Sequence, residues 1–346
     1  MLKLKAYISV LFALIICCGC PSSTNKVDTT DNTVDSLKAK PQNPSIQLIT
    51  SRIEKDTTNA ELYFNRANFY LQDKEVGYAA ADILKAMELD PSQAKYYLLA
   101  KDILVESGDG EAAIKILENG LGQLENNVDL LTEKAKMHFY MRQYSPAMIT
   151  FAQTLKLDPT NPDIYFFMGF TYKETNKIEK AIKSFEKAIE FNPDFYEAIM
   201  QLGLLHSQNN NDLCISYFDN ALRLDPQSTE ALYAKGLHYH NNEKFDKALA
   251  TYRNILDIDR QNHLALFNMG HIYYNQSVID TALQHFNMVV GVKPEYADAY
   301  QMRALCHEAQ NNFDKALKDY TSALNLNPEH EAAKLGMERV KNKISS

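Results

Sequence analysis

Residues 162–195 read PDIYFFMGFTYKETNKIEKAIKSFEKAIEFNPDF. Tyr165, Gly169 and Tyr172 are spaced i, i+4, i+7, which places them on one face of a helix. Ala181, Phe185 and Ala188 follow in a second apolar run, and Pro193 ends it, because proline cannot continue a helix. Asn161-Pro162 ahead of the first run has the form of an N-cap followed by an N1 proline. The stretch therefore predicts two helices joined by a short turn.

The same spacing recurs along the chain. Pro91, Pro159, Pro193, Pro226, Pro294 and Pro328 each follow an apolar run, at intervals of 68, 34, 33, 68 and 34 residues. Gly169, Gly203, Gly236 and Gly270 are 34, 33 and 34 apart. Sliding the frame gives eight units: 60–93, 94–127, 128–161, 162–195, 196–228, 229–262, 263–296 and 297–330. The eighth position is small in every unit except the second, where it is Lys101, and a small residue there lets the second helix approach closely. Unit five is one residue short, and the shortfall is read in its Asn209-Asn210-Asn211 turn. Ser145-Pro146 is read as a helix start like Asn161-Pro162. Gly108-Asp109-Gly110 and Gly120-x-Gly122 follow no strand, are too short for a phosphate loop, and are read as helix ends.

The pattern of a large residue, Leu-Gly, Tyr, Ala, Phe, Ala and Pro at fixed offsets resembles the tetratricopeptide repeat. Tyr165, Met168-Gly169, Tyr172, Ala181, Phe185, Ala188 and Pro193 carry it, with Tyr or an aliphatic residue replacing the family's Trp. The resemblance covers about 60–330. It implies an all-α superhelical solenoid of about eight helix-turn-helix repeats, in which stacking buries the apolar face that one helix pair cannot bury alone. The ends then need caps: an N-terminal helix over 45–59 and a polar-backed C-terminal helix over 331–346.

Ahead of the repeats, Met1-Leu2-Lys3-Leu4-Lys5, an uncharged apolar run and Cys17-Cys18-Gly19-Cys20 have the layout of a secretory signal. Gly19-Cys20 resembles a bacterial lipobox, although Cys17 stands where Leu is usual; Cys18 is the alternative site. The resemblance implies a signal peptide over 1–19, a lipidated Cys20, and a protein anchored to a membrane of the cell envelope, with Pro21 favouring the outer membrane. Residues 20–44 are polar with three prolines and too few aliphatics to offset ordering entropy. They read as a tether spanning roughly 25–30 Å.

The chain has 346 residues, with 36 Lys plus Arg against 44 Asp plus Glu, a net charge of −8. Loss of Lys3 and Lys5 on processing gives 34 − 44, or −10. An acidic balance argues against nucleic acid as a bulk partner. With 12 Gly and 11 Pro the chain is poor in both, which disfavours a collagen-like or a turn-rich all-β fold. Within the repeats no GxSxG, HExxH or CxxC occurs, so no active site, metal or cofactor is expected. His138, His206 and His307 sit at the eleventh position of separate units and read as packing residues. His238 and His240, two apart, point to different helix faces. Cys214 and Cys306 read as inert buried thiols.

The fifth, ninth and twelfth positions of each first helix form a second i, i+4, i+7 row, which in the resembled family lines the concave surface. Phe166, Phe170, Met200, Leu204, Tyr233 and Leu237 make this row apolar over three successive repeats. Lys136 and Lys173 edge it on one side, His240 and His271 on the other, and Phe267 and Tyr274 extend it. The row has two readings: a groove for an apolar or aromatic segment of a partner, or side chains packed between adjacent helices. The Lys-and-Asn arrangement with which some family members clamp a C-terminal carboxylate is not matched. The expected function is a non-catalytic adaptor that binds a protein or peptide in the groove. The alternatives are a glycan- or peptidoglycan-binding module, using Tyr233, Phe267 and Tyr274 as stacking faces, and a structural homo-oligomer.

Overall fold

The computed structural model describes residues 43–345. The signal, Cys17, Cys18, Cys20 and nearly all of the tether lie outside the described residues. Within them the chain is helical with no strand, and no helix is long and apolar enough to cross a membrane. Helix α1 (Pro44–Ile53) comes first, followed by the pairs α2 (Ala60–Gln72) and α3 (Val76–Leu89), α4 (Ala94–Glu106) and α5 (Gly110–Gln123), α6 (Val128–Tyr140) and α7 (Tyr144–Leu157), and α8 (Pro162–Glu174) and α9 (Ile178–Phe191). Then come α10 (Tyr196–Gln208) and α11 (Leu213–Leu224), α12 (Thr229–Asn241) and α13 (Phe245–Ile258), α14 (His263–Asn275) and α15 (Ile279–Val292), α16 (Ala297–Ala309) and α17 (Phe313–Leu326), and finally α18 (Glu331–Ser345). The chain divides into two compact units, the first ending at Ala181 and the second beginning at Ile182, within α9.

In the first unit α2 packs on α3, α4 on α5 and α6 on α7, and each pair stacks on the next. In the second, α10/α11, α12/α13, α14/α15 and α16/α17 stack in the same way, with α18 against α17. This is the solenoid architecture that the 34-residue period predicts.

One device closes every helix pair. The residue between the two helices has positive φ at Lys74, Gly108, Arg142, Asn176, Asn210, Glu243, Ser277 and Asn311. Seven of these eight are not glycine, so each accepts a left-handed conformation that L-residues disfavour. The return is a Schellman closure: the next N–H donates to a carbonyl five residues back, as Glu75 does to Tyr70, Gln143 to His138 and Asn312 to His307. This series also corrects the position of the missing residue in unit five. Asn210 keeps the 34-residue interval from Asn176, whereas Cys214 follows it by four residues where Ala248 follows Glu243 by five. The shortfall lies at the start of α11, which has 12 residues where α13 has 14.

The turns between pairs are as regular. Asp90, Asp158, Asp225 and Asp259 each accept a hydrogen bond from the N–H two residues on, forming Asx turns around the terminating loop. The Trp-to-Tyr replacement finds its reason here. Tyr97 and Tyr165 donate their hydroxyls to the carbonyls of Pro91 and Pro159, each at 3.0 Å, so each ring packs while its polar tip is satisfied.

Asn161 caps α8 with Pro162 at its first position, as expected. Ser145-Pro146 does not start a helix. α7 begins at Tyr144 behind Gln143, and Pro146 falls inside the first turn, where its missing N–H leaves no helical bond unmade. Gly110 does open α5 behind the N-cap Asp109, but Gly120 is no helix end. A Cβ there would lie 2.8 Å from the Tyr97 ring and 2.9 Å from Leu130, so Gly120 is the close-approach point of its repeat. Gly203, Gly236 and Gly270 serve the same purpose against Phe218, Tyr252 and Phe286. Each of these rings is fully buried, which for Phe218 and Phe286 stabilises the repeat by about 1.5–3 kcal/mol.

Both ends are closed. Asn43 caps α1, which begins at Pro44, one residue before the expected cap and inside the span read as tether, and ends at Ile53. Ile46, Ile49 and Ile53 are its buried face. α18 occupies the place of a ninth first helix. Lys334, Glu338 and Lys341 stand at the fourth, eighth and eleventh positions, where the first helices of the repeats carry their apolar row.

Candidate functional site

The row on the first helices lies at the edge of the core, and most of its side chains are half-buried. In the first unit it is aromatic. Phe166 and Phe170 meet edge-to-face at 4.8 Å, and Phe139 lies 6.1 Å from Phe170. Phe167 joins this group, 5.5 Å from Phe139 and 5.8 Å from Tyr140. Tyr140 is 64% exposed, the open rim of the cluster. Lys136 and Lys173 stand 5.4 Å over Phe167 and 5.7 Å over Phe170, positions in which the ring quadrupole attracts an ammonium. Phe167 and Tyr140 were not on the predicted row. The signal was there in the adjacent pairs Phe166-Phe167 and Phe139-Tyr140, since bulky rings one residue off the row lean over it.

Lys136 also joins an ionic ladder. It is 3.2 Å from Glu133 and 3.5 Å from Asp163, and Glu133 takes Lys101 at 2.9 Å. Burial alone would raise the Glu133 carboxyl, but the two lysines outweigh it and hold the carboxyl lowered. Lys101, the misfit at the eighth position of its repeat, is accounted for by this ladder.

In the second unit the row changes character. Met200 is 2% exposed and belongs to the core with Phe218 and Ala221, so it lies beneath the surface that Leu204 partly covers. Tyr233 accepts a hydrogen bond from Asn268, and Leu237 is half-buried. Phe267 packs between Phe286 and Tyr296, at 5.6 and 5.1 Å. His240 and His271 come together, with Nε2 of one 3.3 Å from Nδ1 of the other. Burial raises the Tyr274 hydroxyl, with a further push from Cys306 and Glu308. The row ends on Glu308, which is buried and bound by Arg339 at 2.7 Å and Lys343 at 3.1 Å, both from α18.

The three histidines at the eleventh position are packing groups. His138 bonds to Gln143, His206 stacks on Tyr217, and His307 lies 3.8 Å from Asp319. Cys214 and Cys306 are buried, and burial pushes their thiols up to about 11 and about 12. Among the described residues no group of three or more His, Cys, Asp or Glu is placed to hold a metal ion.

Two tetratricopeptide repeat models match the sequence. One covers residues 162–195 and 297–330, the bounds given by the repeat frame, and the other covers 207–263. The chain carries tetratricopeptide repeats. The repeats are similar to those of the mouse protein O-mannosyl-transferase TMTC1, 26% identical over 147 residues, covering 41% of this chain and 16% of that protein. They are also similar to the DnaJ homolog subfamily C member 7 homolog of Schizosaccharomyces pombe, 25% identical over 242 residues, covering 62% of this chain and 48% of that protein. Anaphase-promoting complex subunit 3 of the same yeast is 28% identical over 109 residues, 31% of this chain and 16% of that protein. The similarity thus spans less than half the length of each of these relatives. Among solved structures, the C-terminal part of a TPR repeat-containing protein from Cytophaga hutchinsonii matches with a TM-score of 0.60 at 15% identity, covering 68% of this chain and 98% of that one. It shares the repeat fold.

Proposed function

We propose that this chain is a non-catalytic adaptor that binds a protein or peptide partner on the row of its first helices. The observation that carries the reading is the half-open aromatic cluster of Phe139, Tyr140, Phe166, Phe167 and Phe170, with Tyr140 64% exposed. Rings already clustered, two of them under a lysine, lose little entropy on contact and give a partner aromatic area to bury. Relatives of mixed kinds, a transferase among them, share the repeats, so the shared part is a scaffold and not a chemistry. The N-terminal sequence adds the finer proposal of a lipid anchor at Cys20 that holds the adaptor in a bacterial envelope, on the outer membrane.

Crosslinking in native membranes followed by partner identification tests the reading, comparing wild type with Tyr140→Asp and Phe170→Asp/Leu237→Asp, each shown folded by circular dichroism. Loss of the same partner in both variants is expected; retention of every partner refutes the row as a binding surface. Cys20→Ser should release the chain from membranes, and persistence there refutes the anchor. A glycan-binding module would instead bind purified cell wall in a Tyr233-dependent manner, and a structural oligomer would show a concentration-dependent mass by light scattering.

A further inference from the structure

His240, in the last turn of α12, and His271, in α14, belong to successive repeats, and Nε2 of the first lies 3.3 Å from Nδ1 of the second. The side-chain amide of Asn275 also reaches His271 Nδ1, at 3.3 Å. An amide N–H only donates, so His271 Nδ1 is the acceptor of both bonds and the proton of that ring sits on Nε2. His240 therefore donates from Nε2, and its Nδ1 carries the lone pair. That nitrogen is buried without a partner.

Each imidazole has one place for a second proton, and both places are closed. On His271 the proton would sit on Nδ1, against two N–H groups that already point at it. On His240 it would sit on Nδ1, a buried charged donor with no acceptor, which carries its full desolvation cost. Phe245 and Tyr252 of α13 wall His240, at 6.1 and 6.5 Å between ring centroids. Tyr252 is fully buried, and burial raises its hydroxyl, so it stays neutral. The other helices packed around the pair are α10, α11, α15 and α16. Among the described residues none of them brings a carboxylate or an ammonium that shifts either ring: burial and then His271 lower His240, and burial alone lowers His271. His238 is the contrast, with Nε2 on the Asp212 carboxylate at 2.9 Å and Nδ1 on Ser207 at 3.2 Å.

We propose that the His240–His271 contact is an acid-released latch between the sixth and seventh repeats: it closes only while both rings are neutral, and protonation of either ring opens it. The direction follows from linkage. An opened histidine binds its proton near the ordinary value of 6.5, and a closed one only at lower pH. The stabilisation from the latch is therefore complete above 6.5 and is lost as pH falls below it. At about pH 5.5, opening is favoured by about tenfold for each ring that is neutral when closed and protonated when open. Weaker partner binding in acid is a consequence that rests on the adaptor reading; the latch itself does not.

The test is hydrogen exchange of the full chain, resolved by peptide and compared as protection factors at about pH 7.5 and about pH 5.5, which removes the intrinsic pH dependence of exchange. In the wild type, protection over 229–275, from α12 to α14, should fall by about tenfold or more on acidification. The double variant His240→Gln/His271→Asn has no ring to protonate and should lose the greater part of that fall. Asn stands at the ninth position of the first repeat as Asn68, so the fold accepts it there. His263→Gln removes another histidine of α14 that burial lowers, and should keep the greater part of the fall. Ring NMR signals of the wild type need no variant: those of His240 and His271 should titrate together, below 6.5. Titration of either ring at or above 6.5, acid-insensitive protection over 229–275, or an undiminished fall in a double variant shown folded by circular dichroism would overturn the proposal.

Discussion

Arg66 and Asp82 join α2 to α3 through two parallel hydrogen bonds, Nε to Oδ2 at 2.6 Å and Nη2 to Oδ1 at 2.7 Å. Arg66 also donates to Thr50 of α1 at 3.0 Å and lies near the faces of Tyr63 and Tyr70, at 5.8 and 5.9 Å. The side chains are 16% and 8% exposed. Asp82→Ala therefore strands a guanidinium that has little water and keeps one neutral acceptor. Breaking a buried pair costs about 3–5 kcal/mol, and the residual exposure of Arg66 places this one near about 3 kcal/mol. Arg66→Met removes the charge that Asp82 was buried to meet and should cost a similar amount. The double variant Arg66→Met/Asp82→Leu leaves no charge unpaired and should lie within about 1 kcal/mol of wild type. The predicted coupling is thus large and opposite in sign to the single losses.

Repeat arrays lose structure in segments, so the assay is hydrogen exchange resolved by peptide, alongside urea titration. The single variants should raise exchange over 44–89 and leave the second unit unchanged. If the single losses add to within about 0.5 kcal/mol of the double-variant loss, or if exchange rises elsewhere first, the ion pair does not hold these helices. The same pair recurs 16 residues apart as Arg303 and Asp319, at 2.8 and 2.7 Å, so Asp319→Ala should reproduce the effect over α16 and α17.

Two further substitutions test the close-approach glycines by sign. Gly203→Ala places a Cβ 2.6 Å from the Phe218 ring; overpacking of about 1–3 kcal/mol should exceed the gain of about 0.5–1 kcal/mol from replacing a helical glycine. Gly291→Ala meets nothing within 4 Å and should stabilise in urea by up to about 1 kcal/mol. The C-terminal cap is pH-dependent. Arg339, Lys343 and Tyr320 hold the Glu308 carboxyl down from 4.5 to about 2, so its contribution is complete above the unfolded value and is lost as pH falls from about 4.5 to about 2. At about 1.36 kcal/mol per unit this is at most about 3 kcal/mol, and screening of the half-exposed Arg339 and Lys343 brings it to about 1–2 kcal/mol. Exchange of the α18 amides should rise over that window in the wild type and stay flat in Glu308→Gln.

Much of the repeat architecture was legible because its determinants are local and repeated. A misread position in one unit is corrected by seven others in register. Where single positions were read alone, the reading slipped: Pro146 lies inside a first turn and Gly120 lies under Tyr97. The left-handed turn residues escaped for a different reason. Lys74, Arg142, Glu243 and Ser277 have no side-chain signature for positive φ, and their conformation is imposed by the Schellman closure and the packing of the helices on either side.

The row of first-helix residues was named from spacing, but spacing does not fix depth. Met200 sank into the core while Tyr140, one residue off the row, became its rim. By itself the sequence determined the period, the two helices of each repeat and the small residues at their crossings, since all of these depend on neighbours at most one repeat away. Tertiary structure alone decided which side chains of successive repeats meet, such as His240 with His271 and Glu308 with Arg339. Those meetings depend on the rotation between one repeat and the next, which is the summed result of side-chain packing and has no counterpart in residue spacing.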